Sequence, residues 1–467
     1  MSDKQIGAVL KGVLKKVKPS KAETTAMAAL YRKVIAAASK NKSVRPLICG
    51  SVEKGTWLAD RREIDMFLLF KPDVERADLE KKGLDAAKKI MSALKGKYTI
   101  AYAEHPYLKG ELKVKGKAYS IDIVPAYDVP DPSKIKSAVD RTPHHVKFVK
   151  AHLPEKLADE VRLLKAFMKA SGCYGADTRS RGFSGYLCEL LVIKYGSFLD
   201  VLKAASVSWN AGYVISFDGK IDIHHAQERF RAPLIAIDPV DPNRNVAAAV
   251  SAESFFTFRQ ASAQFLRLPT ARHFFPPEMK PYSLAEISKE VAARRTRLYL
   301  VQFKRPDIVD DVLWPQLRRA VQMTGKVLEE GGFRVLRGAE WADERNCVLL
   351  FELDVWQVTK VLKHIGPSIY SHKQSEAFLE HYASRPVFIE NDCWIVETER
   401  NHTLALPYLN DFFTQPEKEL LARGVPNKLA AAKFAVSSGA DAVKAMKPLP
   451  DGFRVFVRGY FEKDLRA

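Results

Sequence analysis

Residues 49–70 read CGSVEKGTWLADRREIDMFLLF: an apolar segment closes on Gly50-Ser51, crosses a polar loop and enters an oily run that carries Glu63 and Asp65 at its start. An acid inside an apolar strand is costly unless something cationic meets it. Strand residues two apart project to the same side, so Glu63 and Asp65 present both carboxylates on one face. Their partner is either a basic side chain, Arg61, Arg62 or a lysine, or a metal ion. Asp60 has the wrong spacing from Asp65 to share that face.

A second apolar segment, YSIDIVPAY at 119–127, places Asp122 between Ile121 and Ile123. Three carboxylates converging from two strands form an oxygen-rich site suited to Mg²⁺, which keeps several waters and takes substrate phosphates as further ligands. Two such ions can clamp the attacking and leaving oxygens of a phosphoryl transfer. Upstream, a Gly-Ser pair that ends a strand and opens a helix offers free N–H groups to a triphosphate. Gly50 lets the backbone approach, the Ser51 hydroxyl can donate to a phosphate oxygen, and Lys54 in the same loop is grouped with them as nucleotide-binding.

The chain has 467 residues, enough for two to four domains that each bury a core. No apolar run reaches the roughly 18 residues that cross a bilayer, and MSDKQIGAVLKGVLKKVKPSK has no signal-peptide centre, so a cytoplasmic location without membrane contact is expected. Five scattered cysteines without CxxC spacing argue for reduced, mostly buried thiols. The formal charge of +19 points to a polyanionic partner, since neutralising phosphates releases counterions. No GxxxxGK[ST] string occurs, which disfavours a Walker-type ATPase.

Working outward, a basic tail precedes a helix at 22–40 and strands at 44–50 and 64–70. A charged helix at about 75–95, a strand at 97–105 and a hairpin over 107–129 complete an α/β region that ends in the loop VPDPSKIKSAVDRTPHH. Helical patterns dominate to about 270, followed by the Pro-rich LPTARHFFPPEMKPYS and then alternating strands and helices, with GFRVFVRGYF read as a strand. The adjacent pair His224-His225 reads as a solvated loop, and Arg162, Lys165 and Lys169 share one helix face. Four domains are expected: 1–148, a catalytic head; 149–270, a helical central domain; 271–370, an α+β body; and 371–467, a tail with RNA-binding segments.

The strings GSVEKGTWLADRREIDMFLLF, AEHPYLKGEL, IDIVPAYDV, DRTPHH, EVRLLKAFMKASGCYGAD, RGFSGYLCELLVIKYGSF, DPVDPNRNVAAAVS and KRPDIVDD occur in this order. In these the chain resembles the archaeal, class I CCA-adding enzymes, tRNA nucleotidyltransferases of the nucleotidyltransferase superfamily. The resemblance is dense over about 45–315 and loose beyond. It implies an α+β multidomain fold with a polymerase-β-like head, a helical central domain, and an α+β body and tail. It makes Glu63, Asp65 and Asp122 the metal-binding, catalytic carboxylates, although the superfamily's usual motif begins with Asp. Thr142, His145, Lys165 and Tyr174 match positions that hold the incoming nucleotide's sugar and phosphates. Arg244 is assigned to base reading, because a guanidinium forks toward acceptors on cytosine or adenine.

The implied reaction is template-independent addition of C, C and A to tRNA 3′ ends from CTP and ATP, with two Mg²⁺ ions and release of pyrophosphate. The implied partner is the acceptor arm and top half of tRNA, an A-form helix recognised by shape and backbone; a homodimer is compatible with the chain. Two alternatives stand beside it: a related poly(A) polymerase or oligoadenylate synthetase, and a catalytically silent tRNA-binding protein.

Overall fold

A computed structural model describes residues 3–463 apart from 103, 115, 218 and 220. The chain divides into two compact units, one formed by Met1–Pro277 and one by Glu278–Lys463.

The first unit opens with α1 (Asp3–Val17), where the sequence reading had only a tail. Val13 and Val17 are buried against the helical core of this unit, and that burial holds the segment helical. Ser20 caps α2 (Lys21–Ala38) in a reciprocal pair with Glu23. There follow β1 (Arg45–Cys49), the single turn α3 (Gly50–Glu53), β2 (Glu63–Phe70), α4 (Arg76–Ala93), β3 (Lys97–Tyr102), β4 (Pro106–Val114) and β5 (Lys117–Tyr127). They form one sheet in the order β1-β2-β5-β4-β3, with β2 and β5 parallel and the other pairs antiparallel.

The run MFLLF is apolar throughout because β2 is covered on both faces. Ile64, Met66, Leu68 and Phe70 join a core with Val34 of α2 and Ile90 of α4. Phe67 and Leu69 face Val146 of α5 (Arg141–His152). The two-residue period therefore sends Glu63 and Asp65 to the α5 side, at the end of β2 where the apolar cover stops. By the same parity Asp122 shares the side of Ala126.

The segment DRTPHH is not the loop expected. Asp140 closes a 3₁₀ turn and residues 141–145 are already the first turns of α5, where Pro143 is tolerated because early helical N–H groups have no partner to lose. Next come α6 (Ala158–Ala170), α7 (Gly185–Tyr195), α8 (Phe198–Val207), β6 (Tyr213–Ile215), α9 (Ile223–Phe230), β7 (Leu234–Ala236) and α10 (Ala252–Arg267), around an aromatic core that includes Phe167, Phe183, Phe198, Trp209 and Phe258. Gly196, at φ 89°, ends α7 and lets the chain turn into α8. His224 and His225 open α9 rather than lying in a loop, because the Asp222 side chain caps that helix; His224 stays exposed.

The second unit holds α11 (Leu284–Arg294), β8 (Arg297–Lys304), α12 (Asp310–Glu330), β9 (Arg334–Ala342) and β10 (Asn346–Val355). It continues with β11 (Val361–Ser368), α13 (His372–His381), β12 (Val387–Glu390), β13 (Cys393–Glu399), α14 (Ala405–Phe413), α15 (Glu417–Ala422), β14 (Ala435–Ser438), α16 (Gly439–Ala445) and α17 (Asp451–Phe461). Its sheets run β14-β8-β10-β9 and β11-β13-β12. GFRVFVRGYF, expected as a strand, is helical: Phe453, Val457 and Tyr460 recur at helical spacing and are buried together, which outweighs the alternation of 453, 455 and 457. Trp314 is likewise a core residue, packed with Leu313 and Leu317 of α12. No described helix is long and apolar enough to cross a membrane.

Candidate active site

Every residue assigned to the site lies in the first unit, and the fold gathers them into three neighbouring groups.

The first is the carboxylate end of the sheet. Asp65 and Asp122 are direct register partners across the parallel β2/β5 pair, and Cys49 is the partner of Asp65 on β1. The chain leaves β1 at Gly50, with φ +68°, and passes so close beneath Asp65 that a Cβ on Gly50 would overlap its Oδ2. Burial, then repulsion from Asp122 and Glu63, pushes the Asp65 carboxyl up to about 6. Burial also raises Asp122, opposed by Lys109, its register partner on β4. Glu63 is half exposed and takes an ion pair from Arg61 at 2.9 Å. Among the described residues no three His, Cys, Asp or Glu side chains already close on one point as metal ligands. The donor set nevertheless suits a hard divalent cation: the partly buried Asp65 and Asp122 carboxylates stand side by side across β2 and β5, and burial together with the neighbouring acids makes the charge on Asp65 costly until a cation meets it. Asp60 is elsewhere, ion-paired with Lys169.

The second group surrounds Glu189, which is fully buried in α7. Its carboxylate accepts from Lys54, just past α3, from the Thr56 hydroxyl at 2.5 Å and from Lys165 of α6 at 3.0 Å. Burial disfavours the charged carboxylate, but Lys165 and Lys54 hold it well below its ordinary range. Lys165 also donates to the Thr56 hydroxyl at 3.0 Å and the Thr56 carbonyl at 3.4 Å. Arg162, on the same face, is bound instead to Asp159 and to the carbonyls of Trp57 and Gly55. Tyr174 stands beside the group: a Cβ on Gly185 would lie 3.1 Å from its hydroxyl and 3.6 Å from Lys165 Nζ.

The third centres on Asp238, also fully buried, between β7 and α10. It is in contact with His145 Nε2 at 2.9 Å and accepts from Arg244 Nη1 at 2.8 Å and the Tyr186 hydroxyl at 3.2 Å. Burial works against the Asp238 charge, yet the bonds from His145, Val240 and Arg244 bring its carboxyl down to about 2. Burial lowers His145 in turn, against the pull of Asp238. The Arg244 side chain keeps 37% of its surface open, so its guanidinium is anchored at one end and accessible at the other. Asp241 of the same loop pairs with Arg141 at 2.9 Å. Thr142 sits half-buried one turn before His145.

Tyr186 joins the last two groups: its ring stacks on His145 at 4.0 Å and lies 5.6 Å from Lys54 Nζ. The sequence reading passed over Glu189, Asp238, Tyr186, Thr56 and Lys109. The signal for the first two was the one used for Glu63 and Asp65, a lone acid in an oily run, here GYLCELLVIKY and LIAIDPV.

Family models match the chain in three stretches: Nucleotidyltransferase domain over residues 32–145, tRNA nucleotidyltransferase, second domain, over 159–275, and CCA-adding enzyme, C-terminal domain, over 294–438. The chain is 37% identical to the CCA-adding enzyme of Methanothermobacter thermautotrophicus over 373 residues, covering 80% of each chain. It is 35% identical to that of Methanosarcina acetivorans over 462 residues, covering 96% of each. With the CCA-adding enzyme of Archaeoglobus fulgidus it shares 39% over 354 residues, covering 75% of this chain and 77% of that one.

Proposed function

The chain belongs to the family of CCA-adding enzymes, and from that premise we infer how its three clusters add C, C and A to the 3′ end of tRNA. The observation that carries the reading is the register pairing of Asp65 with Asp122 above the side-chain-free turn at Gly50.

Asp65 and Asp122, with Glu63 once it leaves Arg61, would hold the divalent ions of the family's chemistry. Bound there, Mg²⁺ supplies Lewis-acid activation and charge neutralisation at the reacting phosphate. The substrates are CTP and ATP. The RNA 3′-hydroxyl oxygen bonds to the α-phosphorus as its proton passes to solvent, and the bond from that phosphorus to the pyrophosphate oxygen breaks, the electron pair leaving with pyrophosphate. Gly50 and Ser51 bring backbone N–H groups to the triphosphate, and Lys54 and Lys165 place positive charge against the departing pyrophosphate, where a desolvated cleft makes that charge count most. Tyr174 and Thr142 border the sugar and phosphates. Arg244, braced by Asp238 beside His145, reads the base. Most of the acceleration is positioning and electrostatics. The partner RNA is engaged at its acceptor arm, consistent with a net charge of +19.

The test is incorporation of labelled CTP and ATP into a tRNA that lacks its 3′ tail. The expected product gains C, C and A and no more; a homopolymeric A tail, or no pyrophosphate release with Mg²⁺ present, overturns the reading.

A further inference from the structure

Lys54 and Lys165 come from different elements, the turn after α3 and the middle of α6, and meet on the two oxygens of one carboxylate. Their side chains are 8% and 3% exposed and that of Glu189 not at all. Two ammonium groups and one carboxylate leave a positive surplus. A buried group that served packing alone would be expected to balance its charges, because an uncompensated charge inside a protein is expensive. Here the surplus has a direction. Lys54 acts electrostatically on Asp65, in the carboxylate group, and its ammonium faces the Tyr186 ring that leads to His145. Lys165 spends its donors on Glu189, on the Thr56 hydroxyl and, at 3.4 Å, more weakly on the Thr56 carbonyl. The weak third bond is the one a phosphate oxygen can replace without disturbing the ion pair. Gly185, with no Cβ, lets the start of α7 approach that ammonium and the Tyr174 hydroxyl closely: a Cβ there would lie 3.6 Å from the one and 3.1 Å from the other.

We propose that Glu189 is a positioning residue for the nucleotide triphosphate, drawing Lys54 and Lys165 to one point beside Gly185 and Tyr174 so that both meet the phosphates together. The proposal rests on the reading of Lys54 and Lys165 as phosphate ligands. Glu189 does not touch the substrate; it acts through the two lysines, and its influence is blind to the base because cytosine and adenine nucleotides carry the same triphosphate.

The experiment uses the full chain and a tRNA lacking its tail, with Glu189→Gln, Glu189→Asp, Lys165→Met and the double variant Glu189→Gln/Lys165→Met. Glu189→Gln is expected to raise KM for CTP and for ATP by a similar factor of about tenfold or more, to leave KM for tRNA unchanged, and to weaken inhibition by inorganic tripolyphosphate by the same factor. Glu189→Asp, which keeps the charge, restores part of the loss. The double variant binds nucleotide worse than Lys165→Met only by the part that Glu189 exerts through Lys54, so the combined loss is smaller than the product of the two single factors, since a residue that acts through another is not additive with it. If Lys165→Met has a raised KM while Glu189→Gln keeps wild-type values, or if the two effects add in full, Glu189 has no positioning role. If Lys165→Met itself leaves both nucleotide KM values unchanged, the assignment of the lysine to the phosphates fails. Thermal melting of each variant accompanies the kinetics, and should Glu189→Gln not fold, Glu189→Asp decides on the same readouts: unchanged nucleotide KM and tripolyphosphate inhibition would overturn the proposal.

Discussion

Gly50 and Asp65 are packed so tightly that a methyl group on the glycine would collide with Oδ2 of the aspartate. The cause is the β1/β2 register, which sets Cys49 opposite Asp65 and sends the next residue beneath it with φ +68°. Replacing Gly50 by alanine displaces the carboxylate and strains the turn. Nucleotide addition by Gly50→Ala is expected to fall on the order of a thousandfold, with a stability cost of only about 1–2 kcal/mol. Single-turnover incorporation and urea unfolding measure the two quantities; near-normal addition would show that the close approach is unimportant.

Asp65→Asn and Asp122→Asn keep size and shape but remove the charges that call for a divalent ion. Each is expected to lower the rate of addition by a thousandfold or so while tRNA binding, followed by filter retention, stays close to wild type. A variant that still adds C at an appreciable rate would place the chemistry elsewhere.

Asp238 holds Arg244 and His145 from beneath. In Asp238→Asn the guanidinium loses its fixed end, so the preference for C at the first position and for A at the last is expected to weaken by about tenfold. Sequencing of products made with CTP and ATP together reads this directly. A uniform fall in rate with intact base choice would reduce Asp238 to a structural role.

Glu23 offers a pH test of the head. The Ser20 backbone N–H is the largest influence and, with bonds from Arg62 and the Ser20 hydroxyl and the charge of Lys117, brings its carboxyl down to about 2 against the opposing effect of burial. A carboxyl that binds protons less readily when folded contributes stability that is present above its unfolded value and lost as pH falls through the folded one. Glu23→Gln is therefore expected to cost about 1–2 kcal/mol at pH 7, with the gap to wild type narrowing from about pH 5 to pH 3. A gap that stays constant over that range would mean the carboxylate charge contributes nothing.

The head's strands, the acids at 63, 65 and 122 and the glycine turn were legible because each follows from local pattern: a two-residue period, an acid in an apolar run, a glycine at a strand end. The helices at 3–17 and 451–461 were not, since the first reads as a basic tail and the second as an alternating strand until the core beside it is known. Glu189 and Asp238 carry the same local signal as Glu63 and Asp65, yet their partners are remote. Glu189 meets Lys54 from 135 positions away, and Asp238 meets His145 from 93.

By itself the amino-acid order determined which side chains could share a face, where the chain must turn, and that the molecule would seek a polyanion, because periodicity, glycine and net charge are properties of neighbours along the chain or of the whole composition. Which lysine pairs with which acid, whether an arginine is anchored or free, and how near a glycine passes to a carboxylate were decided only when distant segments packed. Those contacts depend on desolvation and register across the sheet and the helices, which have no counterpart in an extended chain.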